Sequence, residues 1–172
     1  LSWDYVLHRS AAMKTSMDIR LRKRNSHSFL NGVELPIQAM HQTSMEVGFA
    51  ERLYLQRDTL YFRLAHRFGL GWLGAQKEKP YDDAPKTLYR MWLLDVDFVH
   101  PFEFSHRPAT FTTSFHGQYT MDDMRLYGVD MISMGNRYTV RGFDGEVTLM
   151  GTNGWYLRNE LSTRFPKQKA EL

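Results

Sequence analysis

The sequence predicts an all-β fold: an antiparallel transmembrane β-barrel, or a large part of one. Apolar residues recur at every second position, and the alternating runs reach about ten residues, near the span needed to cross hydrocarbon at a tilt. The connections between runs alternate between short and long, as in barrels that carry tight turns on one rim and long loops on the other.

The runs follow in chain order. Trp3, Tyr5 and Leu7 open a first strand. In residues 15–24, Met17, Ile19 and Leu21 share one face, and Asp18, Arg20, Arg22 and Arg24 the other. In 44–52, Met45, Val47 and Phe49 oppose Glu46, Gly48, Ala50 and Arg52. In 59–68, Leu60, Phe62 and Leu64 oppose Tyr61, Arg63, Ala65 and Arg67. In 88–99, Trp92, Leu94, Val96 and Phe98 oppose Leu93, Asp95 and Asp97. In 109–119, Phe111, Phe115 and Tyr119 oppose Thr110, Thr112, Ser114, His116 and Gln118. In 154–161, Trp155, Leu157 and Leu161 oppose Tyr156, Arg158 and Glu160. This makes about seven or eight strands. Residues 10–14, 56–58 and 101–108 are the short connections; 25–42, 69–86 and 121–153 are the long ones.

Alternation alone fits two polarities. A soluble sandwich or ligand-binding barrel would bury the apolar face and wet the charged one. A membrane barrel turns the apolar face to lipid and the charged face to its lumen. Strand length favours the second. So do the aromatic strand ends Trp3, Tyr5, Tyr54, Tyr61, Phe98, Phe102, Tyr119 and Trp155, which suit two interfacial girdles. On that reading Arg20, Arg22, Arg24, Arg63, Arg67 and Arg158 line the lumen with cations, and Glu46, Asp95, Asp97 and Glu160 with anions. Mixed signs suit a wet passage that must not trap what moves through it.

Composition narrows the function. The 172 residues carry 22 Lys and Arg against 19 Asp and Glu, a formal net charge of +3. The richest basic stretch, Arg20-Leu21-Arg22-Lys23-Arg24, alternates with apolar residues, which argues against nucleic acid as a partner. Cysteine is absent, so thiolate metal ligands and thiol nucleophiles are excluded. The seven histidines stand at no zinc-like spacing, and no metal or cofactor is expected. His100 and His106 flank a turn, and Asp122-Asp123 reads as a solvated pair. Asp95 and Asp97 share a face but have no pocket signal, and Gly69-Leu70-Gly71-Trp72-Leu73-Gly74 has no helix after it to make a phosphate loop. No catalytic residue is assigned, and no enzyme activity is expected. The start at Leu1, without methionine or signal peptide and already strand-like, reads as a fragment.

The long connection 121–153 holds Gly135-Asn136-Arg137-Tyr138-Thr139-Val140-Arg141-Gly142-Phe143. Glycines permit sharp turns, and a buried guanidinium needs an acceptor, so the loop reads either as a tip that docks or as a hairpin with an exposed arginine. In-chain candidates for Arg141 are Asp95, Asp97 and Glu160.

This run, Asp144-Gly145-Glu146 after it, and the strand Gly154-Trp155-Tyr156-Leu157-Arg158-Asn159-Glu160-Leu161 resemble the two-partner secretion transporters, the TpsB or ShlB/FhaC/HecB haemolysin secretion/activation family. Tyr5-Val6-Leu7-His8-Arg9-Ser10 and Lys14-Thr15-Ser16 resemble that family's barrel too. Val140, Arg141, Gly142 and Phe143 are shared with the wider superfamily that includes BamA and TamA, while the flanking Gly135, Arg137, Tyr138 and Thr139 are more specific. The resemblance implies that residues 1–172 are part of one outer-membrane barrel domain, about seven or eight strands of sixteen, with the POTRA domains outside this chain. It implies that 121–153 folds into the lumen and that Arg141 meets an aspartate on a strand beyond the chain. Asn136 departs from the family, where a second glycine is common. It further implies a monomeric barrel in the outer membrane, with lipid and a secreted exoprotein of haemolysin, adhesin or contact-dependent toxin type as partners. A barrel-assembly factor of the BamA/TamA type, a soluble ligand-binding β-barrel and a passive porin are the alternatives.

Overall fold

The computed structural model describes residues 1–27, 29–34, 40–78, 84–121, 124–135, 139 and 148–163. Seven strands form one antiparallel sheet in which each strand pairs with the next long strand in sequence. They are β1 (Ser2–Arg9), β2 (Met13–Ser26), β5 (Met40–Leu55), β6 (Asp58–Leu70), β7 (Arg90–Phe104), β8 (Arg107–Thr120) and β11 (Gly154–Thr163). Two small hairpins sit in the long connections: β3 (Phe29–Leu30) with β4 (Val33–Glu34), and β9 (Ile132–Met134) with β10 (Leu149–Gly151). A short 3-10 turn occupies Gly128–Asp130.

The strands are longer than hydropathy alone marks. β5 has 16 residues because polar Gln42 and Ser44 continue the ladder opposite Arg24 and Arg22. The expected short connection 101–108 shrinks to Ser105 and His106, since β7 and β8 pair out to Phe104 and Arg107. Pro101 and Pro108 therefore lie inside strands. Pro101 is tolerated because β7 pairs with β6 only as far as Val99. Beyond that point one side of β7 has no ladder among the described residues, and a proline fits there.

Burial is inverted relative to a water-soluble sheet. On one face Trp155 is 64 % exposed, Leu161 70 % and Tyr119 63 %, with Trp3, Tyr5, Phe49, Leu64, Trp92, Leu94 and Leu157 also open. On the other face Glu46 is 1 % exposed, and Asp18 and Arg63 are 6 % each. An apolar cluster also sits on the polar face: Ala65, Tyr89, Met91, Leu93 and Leu126, with Met124 and Met131 against it. Leu126 comes from the β8–β11 connection, so the first leg of that connection lies over the sheet and covers β6 and β7.

Glycines permit two close approaches. A Cβ on Gly69 would collide with the carbonyl oxygen of Thr87, and the Gly69 N–H instead donates to Tyr89 O at 2.9 Å. A Cβ on Gly154 would lie 3.0 Å from Ile132 Cγ2, so its absence lets β9 lie against the start of β11.

Candidate functional site

The polar face carries an ionic network built by register. Antiparallel pairing sets Arg20 opposite Glu46, Glu46 opposite Arg67, and Arg63 opposite Asp95. Period two then puts all of these side chains on one side of the sheet. Arg63 is the hub. Its Nε donates to Asp18 Oδ1 at 2.8 Å, and its Nη2 donates to Asp18 Oδ2 and to Glu46 Oε1, both at 2.6 Å. Arg67 donates to Glu46 Oε2 from Nε at 2.7 Å, with Nη2 also at 2.7 Å. Arg20 reaches Glu46 at 3.4 Å and Asp18 at 3.3 Å, and Arg22 lies 3.7 Å from Glu46. Gly48 makes the room: a Cβ there would stand 2.6 Å from both Arg63 Nη2 and Asp18 Oδ1.

The network continues across the sheet. Asp95 lies 3.9 Å from Arg63 and 2.5 Å from His116 Nδ1. Asp97 stands in register between Tyr61 and Ser114. Arg158 and Glu160 pair with each other at 3.4 Å on β11. Arg24 turns away to donate to the carbonyl of Val129 at 3.4 Å. The sheet thus gathers Arg20, Arg22, Glu46, Arg63, Arg67 and Asp95 into one group, while Arg24 reaches toward the long connection and Arg158 and Glu160 pair on β11.

A second cluster ties the long connection to the sheet. Asp130 accepts from Gln42 Nε2 at 2.6 Å and from the Tyr89 hydroxyl at 3.0 Å, while its carbonyl accepts from Gln118 Nε2 at 2.9 Å. Burial, and then the Asp130 carboxylate beside it, push the Tyr89 hydroxyl well above its ordinary range. Tyr127 accepts from Gln76 Nε2 at 2.8 Å, and Lys86 N donates to Arg125 O at 2.8 Å. Gly135, with φ of 104°, donates its N–H to Thr139 Oγ1 at 3.0 Å. Arg137, Tyr138, Val140, Arg141, Gly142 and Phe143 lie outside the described residues, as do Asn136, Asp122 and Asp123.

Sequence reasoning missed Asp130, Gln42 and Tyr89, and it set Gln118 on the polar face without its partner. Asp130 lies in a connection with no alternation, so only the chain's return over the sheet reveals it. Asp18 and His116 had been placed on the polar face, but their partners follow from strand register, which composition does not show. The described residues contain no cluster of three metal-ligating side chains, and no helix among them is long and apolar enough to cross a membrane. An open hollow of about 460 Å³ lies on the apolar face between Leu64, Trp92, Leu94, Phe115 and Trp155, away from the ionic network.

Comparison with known proteins agrees with this geometry. The chain is 37% identical over 157 residues to the outer membrane transporter CdiB-2 of Burkholderia pseudomallei (strain 1026b), covering 91% of this chain and 26% of that protein. It is 27% identical over 161 residues to the hemolysin transporter protein HpmB of Proteus mirabilis, covering 92% of this chain and 28% of that one. The chain therefore spans about a quarter of the length of these relatives. Its fold superposes on solved CdiB from Escherichia coli with a TM-score of 0.85 at 30% identity, over 93% of this chain and 29% of the other. CdiB from Acinetobacter baumannii gives 0.82 at 30% identity, over 97% and 28%. The model of the haemolysin secretion/activation proteins ShlB/FhaC/HecB matches residues 1–172, and the chain belongs to that family.

Proposed function

We propose that this chain is part of the outer-membrane β-barrel of a two-partner secretion transporter, and that the barrel passes a large partner exoprotein through its lumen. One observation carries the reading: buried Asp18, Glu46 and Arg63 occupy one face of the sheet, while tryptophan, tyrosine and leucine stand exposed on the other. Lipid satisfies the second face, and a hydrated bore suits the first. The named activities of the CdiB and haemolysin transporter relatives support transport rather than catalysis. On this reading 1–172 belongs to one barrel domain, 121–153 returns into the lumen, and Arg141 docks on an inner-wall carboxylate that stabilises the active barrel. The ionic network is the fixed wall along which an unfolded chain slides, its charges mutually satisfied and so weakly adhesive.

The test uses the full-length transporter expressed with a large exoprotein encoded beside it. The exoprotein appears outside the cell only when the transporter is present. Arg141→Ala cuts export at least about tenfold while heat-modifiable, membrane-inserted barrel persists. Export unaffected by loss of the transporter overturns the reading. A general fall in unrelated outer-membrane barrels on its depletion indicates the barrel-assembly activity instead.

A further inference from the structure

Asp130 is a carboxylate from an irregular segment, 7 % exposed, facing a wall that already holds its own charges. Its hydrogen bonds come from three different places: Gln42 on β5, Tyr89 just before β7, and Gln118 on β8. Gln42 and Gln118 are 4 % and 8 % exposed, so these donors are held in place by the sheet rather than by water. The Asp130 N–H closes the local turn on Tyr127 O at 2.9 Å. A small polar cavity of about 50 Å³ beside it is lined by Arg22, Arg24, Gln42, Ser44, Arg67 and Asp130. Four guanidinium groups, those of Arg20, Arg22, Arg63 and Arg67, already crowd Glu46 among the described residues. A further negative charge from the connection is therefore electrostatically welcome.

We propose that Asp130 is the positioning residue of the long connection, a polar latch that seats its first leg on the inner wall through Gln42, Tyr89 and Gln118. The inference rests on reading that connection as a segment returning into the lumen, and it adds an anchor separate from the arginine tip. The latch places Leu126 over Met91 and Leu93, and it sets where the chain leading to Gly135 begins its path. Its donors to the carboxylate are neutral amide and hydroxyl groups rather than a bidentate arginine. The contact is therefore specific in geometry yet releasable, unlike the Arg63–Asp18 pair.

The experiment reads loop seating, not export. Residues 1–172 contain no cysteine. Met91→Cys, fully buried under Leu126, is introduced into full-length transporter whose other cysteines, if any, are replaced. Its reaction with a water-soluble maleimide is timed in isolated outer membranes, with heat-modifiable migration as the check that the barrel is folded. With Asp130 intact, labelling is slow. Gln42→Glu sets two carboxylates against each other and accelerates labelling about tenfold, as does Asp130→Ala. Adding Asp130→Asn to Gln42→Glu lets the new amide donate to the new carboxylate, and slow labelling returns. Tyr89→Phe, a milder loss, gives an intermediate rate.

Unchanged labelling in Asp130→Ala and Gln42→Glu, in folded barrel, overturns the proposal, and so does failure of Asp130→Asn to rescue Gln42→Glu. If Asp130→Ala does not fold, the Gln42→Glu and rescue pair decides. Because no exoprotein is present, a failed export reading leaves this result interpretable, and a failed latch leaves export testable.

Discussion

Glu46 meets Arg20, Arg22, Arg63 and Arg67, and Arg63 also holds Asp18, so the cost of removing one member falls on the others. Arg63→Ala leaves two buried carboxylates without their shared donor and is expected to cost about 3–5 kcal/mol, read as a lowered urea midpoint of the refolded full-length barrel. Gly48→Ala acts by crowding rather than deletion. Its Cβ would stand 2.6 Å from Arg63 Nη2 and Asp18 Oδ1, and the expected loss is about 1–3 kcal/mol in the same titration. The Tyr89 hydroxyl is raised above its ordinary value of 10.0 by burial and by Asp130. An acid with a raised folded value contributes stability that is intact below the unfolded value and is lost as pH climbs through the folded one. The folded barrel is therefore expected to lose stability above about pH 10, read as a falling urea midpoint, and Tyr89→Phe removes that part of the pH dependence. Which residues share the polar face of the sheet was legible from period two; which of them meet was not. Asp130 was not, because its role depends on a return of the chain that no local pattern encodes.

Among the elements, the turns carry most of what hydropathy could not show. Ser105 and His106 join β7 to β8 with φ of 52° and 60°, a left-handed pair that Asn-Gly adopts far more readily. Replacing the pair by Ser105→Asn with His106→Gly is expected to raise the urea midpoint by about 0.5–1 kcal/mol equivalent without altering export. Asn31-Gly32, with φ of 50° and 81°, already has that chemistry and closes β3 on β4. That hairpin falls inside 25–42, read from the sequence only as a long connection, because its strands of two residues each are too short for alternation to mark. In the β6–β7 connection Glu78 Oε1 accepts from Thr87 N, Thr87 Oγ1 and Leu88 N at 2.6–2.7 Å, stapling the returning chain beside the end of β6. The proline-bounded stretch 101–108 misled because proline usually marks a connection. At Pro101 the β6 ladder stops short, which leaves proline compatible with the strand.

At the scale of the whole molecule, the polarity of the sheet decides between a bilayer and water. Leu94 and Ser114 sit on opposite faces within the same pair of strands. Leu94→Arg on the exposed apolar face is expected to cost about 2–4 kcal/mol of stability in a bilayer, while Ser114→Arg on the polar face costs under 1 kcal/mol. Folding titrations of the full-length barrel in lipid vesicles read the difference. Equal effects from the two substitutions would remove the ground for a lipid-facing side. The chain spans about a quarter of its relatives' length, and β1 and β11 form the edges of its sheet, so these measurements belong in the full-length protein rather than in this segment alone.

By itself the sequence determined the strand-forming runs, the two chemically distinct faces, the alternation of short turns with long connections, and the family resemblance. All of these follow from spacing along the chain, since the β pleat turns neighbouring side chains to opposite sides. Only the tertiary structure decided which charges meet, how far the strands continue into polar and proline-containing sequence, and that residues 124–131 of the β8–β11 connection lie over the polar face with Asp130 seated among Gln42, Tyr89 and Gln118. Those depend on register and on contacts between residues as far apart as Gln42 and Asp130, where no periodicity reaches and only the closing of backbone ladders brings the partners together.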